Sequence, residues 1–247
     1  MRLKDKVALI TGAGSGMGAS IAETYAREGA KVGVLDMQED AARKVAGEIG
    51  RNAIAIRCDL VKRAEIDAAV AATIKAFGGI DILVNNAGIS HVNKPVLDVA
   101  EDDFDRVFDV NVKGLFMMTQ AVIPHLRKAG GGSIINIGST AGLRPRPGLS
   151  AYSATKGAVH NLTKTLAVEL APDKIRVTAI APVATETPLL PTFLGNAPGQ
   201  RDKFVATVPL GRLAQPQDIA NMALFLATAE AEFVTGNIVE VDGGRCV

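Results

Sequence analysis

The chain has 247 residues, a net charge of +1, 48% hydrophobic residues and only 4% aromatics, so a core of Val, Ile, Leu and Ala is expected. No long run of like charge occurs, which argues against nucleic acid or a charged membrane surface as partner, and no apolar stretch reaches membrane-spanning length. The apolar run near the start is too short for a secretory signal, and Cys58 and Cys246 lie far apart without metal-like spacing; a soluble, reduced, cytoplasmic protein is the expectation.

Seven short β-branched runs punctuate the chain: "KVALIT", "KVGVLD", "NAIAIRCD", "IDILVNN", "GSIINIGS", "IRVTAIAP" and "NIVEVDG". Longer segments rich in Ala, Glu, Lys and Leu separate them. Strands alternating with helices predict βαβ units. The fold class is therefore α/β: one Rossmann-type doubly wound domain over residues 1–247, its seven-stranded parallel sheet covered by helices on both faces.

The first strand runs into "TGAGSGMGAS" and then a helix. Glycines there let the backbone turn sharply and approach a pyrophosphate, while the helix start presents free N–H groups to the anion. Two spacings fit: Gly14, Gly16 and Ala19, or Gly12, Gly16 and Gly18. A bare strand-to-helix turn is the plainer reading of either. Asp36 ends the second strand about 20 residues after Gly16, where a ribose-binding acid is expected. It also suits the cap of the next helix. A carboxylate accepts from a ribose 2′-OH and repels a 2′-phosphate, and no cation occupies Ser15 or Met37, so NAD is favoured over NADP.

Farther along, residues 101–129 read as a long helical stretch that Asn111 and Pro124 should kink. Residues 183–210 are proline-rich and lack a strand period, as a substrate loop or lid would. Between them stands "AYSATKGA", in which Tyr152 precedes Lys156 by one helical turn on one face. Alone, that pair is equally a solvated surface feature. The histidines His91, His125 and His160 are scattered, and no metal site is expected.

With "TGAGSGMG", "NNAG", Asn111, Ser139 and Tyr152-x-x-x-Lys156 in this order, the chain resembles the short-chain dehydrogenase/reductase family from about Val7 to the final "VDGG". The resemblance implies a glycine loop at Gly12, Gly16 and Gly18, with Ser15 and Met17 between them. It further implies adenine contacts from Asp59 and Leu60, and a turn at Asn86, Ala87 and Gly88 beside the adenosine ribose. It assigns Asn111, Ser139, Tyr152 and Lys156 as a catalytic tetrad, and the loop at Val183, Thr185 and Thr187 to the nicotinamide carboxamide. Three positions depart from the family pattern. Val183 stands in place of a usual Gly and should narrow the pocket, Ala179 replaces a common Asn, and Gly138 stands where Ser is frequent, with no expected consequence.

Alcohol oxidation needs a base, and a free phenol with pKa about 10 is a poor one. Lowering it toward 7 takes about 4 kcal/mol, which Lys156 and the positive nicotinamide ring would supply at close range. Tyr152 is then the general acid/base, Lys156 its modulator and a ribose ligand, and Ser139 the hydrogen-bond partner of the substrate oxygen. Asn111 would offer a backbone carbonyl to an ordered water that links Lys156 to solvent. Substrate contacts are expected from His91, Leu143, Arg144, Arg146, Leu149, Leu189 and Phe193, with Leu190 and Leu194 also on an apolar inner face of the lid. Arg144 and Arg146 would attract a carboxylate, sulfonate or phosphate, or else are solvated surface charge.

The activity implied is NAD-dependent hydride transfer between nicotinamide and a secondary alcohol or ketone. A 3-oxoacyl-thioester reductase is the alternative, opposed by Asp36, and a non-catalytic nucleotide-binding regulator is opposed by the intact tetrad. A methyltransferase would leave the Tyr-Lys pair without a task. The resemblance also implies a homotetramer packed through the 101–129 and 152–171 helices.

Overall fold

The structure, a computed structural model, describes residues 1–194 and 199–247. All seven expected strands form, trimmed at their ends: β1 Val7–Thr11, β2 Lys31–Asp36, β3 Ala53–Arg57, β4 Ile82–Asn85, β5 Gly132–Ile137, β6 Ile175–Pro182 and β7 Ile238–Val241. They make one sheet in the order β3-β2-β1-β4-β5-β6-β7, with every neighbouring pair parallel. The described helices are α1 Gly16–Arg27, α2 Glu39–Ile49, α3 Arg63–Phe77, α4 Glu101–Phe108, α5 Leu115–Lys128, α6 Ser150–Leu170, α7 Leu190–Leu194, α8 Gln200–Val205 and α9 Pro216–Ala227. None of them is long and apolar enough to cross a membrane.

Period-two alternation explains the two cores. Along β1, Ala8 and Ile10 join Ile21, Tyr25, Ile219 and Ala223 on the face covered by α1 and α9. Leu9 points the other way, to Ile66, Met118, Val122 and Leu166 under α3, α5 and α6. Burial on both faces is why the central strands read as unbroken apolar runs. Each fully buried Ile or Leu contributes about 2 kcal/mol. The edge strands β3 and β7 keep partly exposed faces.

The expected kink in 101–129 is a π-helical turn at Asp109–Gly114, and α5 continues through Pro124. Gly114 lets this element lie close to the loop after β3, because a Cβ there would stand 2.9 Å from that of Leu60.

Strand order reverses direction between β1 and β4, so their carboxyl ends splay and leave a crevice above the sheet. The segment 183–210 lies over this end and carries α7 and α8. Gly195, Asn196, Ala197 and Pro198, within the expected lid, lie outside the described residues.

Candidate active site

Two adjoining cavities occupy the crevice. The larger, about 620 Å³, runs over the ends of β1, β2 and β3; the smaller, about 100 Å³, sits between β5, α6 and the 183–210 segment. They share Met17, Asn86, Gly88, Thr187 and Leu189.

The walls of the larger cleft come from local turns. Gly12 and Gly16 hold positive φ angles of 61° and 55°, which only glycine adopts without strain. A Cβ on Gly18 would lie 2.3 Å from the Gly12 carbonyl oxygen, and one on Gly12 would lie 2.8 Å from the Ala87 Cα. The loop is thus as close to its neighbours as a backbone can come, and the N-terminus of α1 opens onto the cleft. Asn86 laces the two halves together: its Nδ2 donates to the carbonyls of Thr11 and Gly12 at 2.9 and 3.0 Å, and the Thr11 hydroxyl accepts from the Asn86 and Ala87 N–H groups.

Asp36 ends β2 at the edge of the larger cleft. Its carboxylate accepts from the Gly14 N–H and from the Gln38 N–H, each at 2.9 Å, so it braces the glycine loop and the start of α2 while lining the cleft. Ser15, Asp59 and Leu60 line the same space. Arg106 is the one cation on this lining among the described residues, a contact that only the packing of α4 places there. These surfaces fit an adenine dinucleotide: backbone that can approach a pyrophosphate, a helix start for its charge, and a carboxylate at the ribose end.

Ser139, Tyr152 and Lys156 meet in the smaller pocket. The Ser139 hydroxyl accepts from the Ala141 N–H at 3.0 Å. Lys156 Nζ donates to the Ile137 carbonyl at 2.8 Å and lies 5.6 Å from the centre of the Tyr152 ring. Tyr152 and Lys156 are 8% and 4% exposed, so the surface reading of the pair does not hold. Burial pulls Lys156 down to about 8. Burial also pushes the Tyr152 phenol up to about 12, with the hydrogen-bonded Ser139 hydroxyl drawing it partway back. The protein alone therefore moves the phenol away from 7, because desolvation outweighs the hydrogen bond from Ser139.

Asn111 is buried beneath this group, and its side chain does more than the sequence suggested. Oδ1 accepts from the Ile89 N–H at 2.8 Å, and Nδ2 donates to the Ile89 carbonyl and the Thr155 hydroxyl at 2.9 and 3.1 Å. Thr155 in turn donates to the Tyr152 carbonyl at 2.7 Å. A buried chain from Asn85 through Asn136 to Thr163 ties β4 and β5 to α6 below.

His160 is a neighbour that sequence reading left unassigned. Its Nε2 accepts from the Ser139 N–H at 3.4 Å, and burial with the nearby Lys156 charge holds it down to about 4. The imidazole occupies the space beside Gly138, where a Cβ would stand 2.2 Å from Nε2. Gly138 is accordingly not a neutral departure.

The remaining predicted residues divide. Arg144, Arg146, Leu149, Val183, Thr185, Leu189 and Phe193 line the small pocket, and Phe193 lies 4.8 Å from the Tyr152 ring. Val183 also packs into the core under α9. Leu190 and Leu194 turn away and bury against Leu213, so α7 shows only part of its apolar surface to the pocket. Leu143 is exposed and lines neither cavity. His91 is buried in its loop, with Nδ1 2.9 Å from the Val92 carbonyl, and also lines neither. Phe204 and Arg245 line the pocket without having been foreseen. Glu240, Asp242 and Cys246 bring potential metal ligands within 4.8 Å of one another, but both Asp242 oxygens already accept backbone N–H groups.

Residues 12–245 match a family model described as enoyl-(acyl carrier protein) reductase. The 4-formylbenzenesulfonate dehydrogenase of Comamonas testosteroni is 44% identical, over 99% of each chain. The galactitol 2-dehydrogenase of Agrobacterium fabrum is 41% identical, again over 99% of each. A crystal structure of 3-ketoacyl-(acyl-carrier-protein) reductase from Brucella melitensis, complexed with NADH, superposes with a TM-score of 0.95 at 48% identity, covering 99% of this chain and all of that one.

Proposed function

The chain belongs to the short-chain dehydrogenase/reductase family and is an oxidoreductase of CH–OH groups that uses a nicotinamide cofactor; from that premise we propose NAD as the cofactor and Tyr152 as the general acid/base. The observation that carries this reading is the convergence of Ser139, Tyr152 and Lys156 on one small pocket that opens directly into the glycine-lined cleft.

Gly12, Ser15, Gly16, Met17 and Gly18 would hold the pyrophosphate side of NAD. Asp36 would bind the adenosine ribose, Asp59 and Leu60 the adenine, and Val183, Thr185 and Thr187 the carboxamide. The bound nicotinamide supplies the hydride acceptor and, when oxidised, a positive charge. Asp36 carries the preference over NADP, since a 2′-phosphate would meet its carboxylate.

The protein's own part is proton handling and positioning. The Ser139 oxygen accepts from Ala141 N–H, and its O–H, which otherwise favours the Tyr152 phenolate, would turn to donate to the substrate oxygen. Tyr152 takes the hydroxyl proton as the alcohol is oxidised, or returns it as a ketone is reduced. Lys156, with a pKa near 8, exchanges a proton around neutral pH and holds the ribose hydroxyls. Asn111 fixes the first turns of α6 through Thr155, and we assign its backbone carbonyl, in a π turn, the ordering of a water toward Lys156. Phe193 and Leu189 cover the pocket and exclude water, the part we assign to the 183–210 lid of this single domain.

Exposed Phe104 and Phe116 on the 101–128 helices support the homotetramer. Two free cysteines support a reduced, cytoplasmic setting. Turnover of secondary alcohol/ketone pairs, measured with NAD(H) and NADP(H), tests the assignment. NAD(H) should serve at least about tenfold better, and Tyr152→Phe should cut kcat about 1,000-fold while nucleotide still binds. NADPH preference with a 3-oxoacyl thioester would instead favour the biosynthetic reductase.

A further inference from the structure

Charge in the small pocket is one-sided. Arg144, Arg146 and Arg245 line it, and no aspartate or glutamate does. None of the three arginines forms an ion pair among the described residues, and Gly195–Pro198 contribute no acid to the chain. Other arginines nearby in the chain are matched: Arg201 pairs with Glu186 and Arg212 with Asp218.

The three are also held in place. The Arg146 and Arg245 guanidiniums lie 5.2 and 5.7 Å from the centre of the Phe204 ring, and stacking on an aromatic orients the planar forks. Arg245 lies within a tight turn in which the Asp242 carboxylate accepts from the Gly244 and Cys246 N–H groups at 2.9 and 2.7 Å. Gly243 and Gly244 have positive φ, and Cβ atoms on them would press on Val208 and Pro209. Arg144 donates to the Arg245 carbonyl, which ties the 140s loop to this turn. Arg245 Nε is nonetheless buried without a hydrogen-bond partner. Burial and the Arg245 charge both disfavour the Arg146 cation, a tension that a bound anion relieves.

We propose that this pocket selects substrates that carry a carboxylate or sulfonate remote from the reacting carbon, received by Arg146 and Arg245 with Arg144 at the rim. The inference rests on the reading of Ser139 and Tyr152 as the site of the carbinol. It concerns a small anion rather than an acidic carrier protein, because Arg146 and Arg245 are half-buried over Phe204, and only Arg144 is exposed enough to meet a protein surface.

The test uses 4-acetylbenzenesulfonate and 4-acetylbenzoate against neutral 4-acetylbenzamide, each with NADH. The anions should show at least about tenfold higher kcat/KM, carried by KM, and Arg245→Ala and Arg146→Ala should each collapse that ratio toward unity. Arg245→Lys should restore part of it. Calorimetric binding of the same three ketones to the NAD-loaded protein gives the same comparison without turnover. Anion-selective binding with no reduction would keep the anion site while defeating the carbinol reading. Equal binding of anionic and neutral ketones, or an Arg245→Ala effect that is the same on both, would overturn the proposal. So would a kcat/KM for a 3-oxoacyl carrier-protein thioester that exceeds the anions' and depends on Arg144 alone.

Discussion

The nucleotide half and the substrate half of the crevice are built on different principles. The former is assembled mainly at the carboxyl ends of β1, β2, β3 and β4, where most contacts fall within a few residues of a strand end. Gly14 is bonded to Asp36 and Gly12 to Asn86 by short hydrogen bonds that leave little room for variation. The latter gathers Arg144, Phe193, Phe204 and Arg245 from three distant segments. A wall made of strand ends is rigid because the sheet is rigid. A wall made of connections takes its shape from packing such as Leu190 and Leu194 on Leu213. The same scaffold can thus keep one cofactor while its substrates change.

His160 offers the sharpest way to separate the halves, since it touches Ser139 but not the nucleotide cleft. Its folded pKa of about 4 lies below the unfolded value of about 6.5. The unfolded chain then binds more protons between these values, so stability present above pH 6.5 is lost as pH falls to 4. About 3 kcal/mol should go. Denaturant melts of wild type and His160→Gln across that range should diverge by this amount, and parallel curves would refute the buried neutral imidazole.

Gly138 probes the same wall by volume. Gly138→Ser should cost about 1–3 kcal/mol and lower kcat by displacing Ser139, with His160→Ala restoring stability in the double variant. Additive losses would mean that the two do not share the space.

In the nucleotide half, Asp36→Ala should weaken NAD and lower the NAD-to-NADP preference about tenfold, a smaller effect because neighbouring backbone still defines the site. An unchanged ratio in fluorescence titrations would remove Asp36 as the selector.

Legibility in the sequence follows this division. The seven strands could be read because burial on both faces makes each a continuous β-branched run, and the glycine loop because its φ angles and close contacts demand glycine. Asn111 is legible as the position of a kink, but its side-chain bonds to Ile89 and Thr155 depend on tertiary packing around the π turn that a local pattern does not carry. Arg245 carried no signal, since its meeting with Arg144 about a hundred residues away is a product of tertiary packing. Leu190 and Leu189 are adjacent in sequence and differ only in which way a short helix is turned.

The proton-transfer role of Tyr152 is read most directly from how its phenol ionises. The chain has two tyrosines and no tryptophan, and burial drives Tyr25 far above the usual phenol range, so phenolate absorbance reports Tyr152 almost alone. Without nucleotide, little phenolate should form below pH about 10; with saturating NAD⁺, one phenolate per chain should titrate at a midpoint lowered toward neutral pH and vanish in Tyr152→Phe. The same titration with and without NAD⁺, or a signal that survives Tyr152→Phe, would contradict Tyr152 as the group that takes the proton.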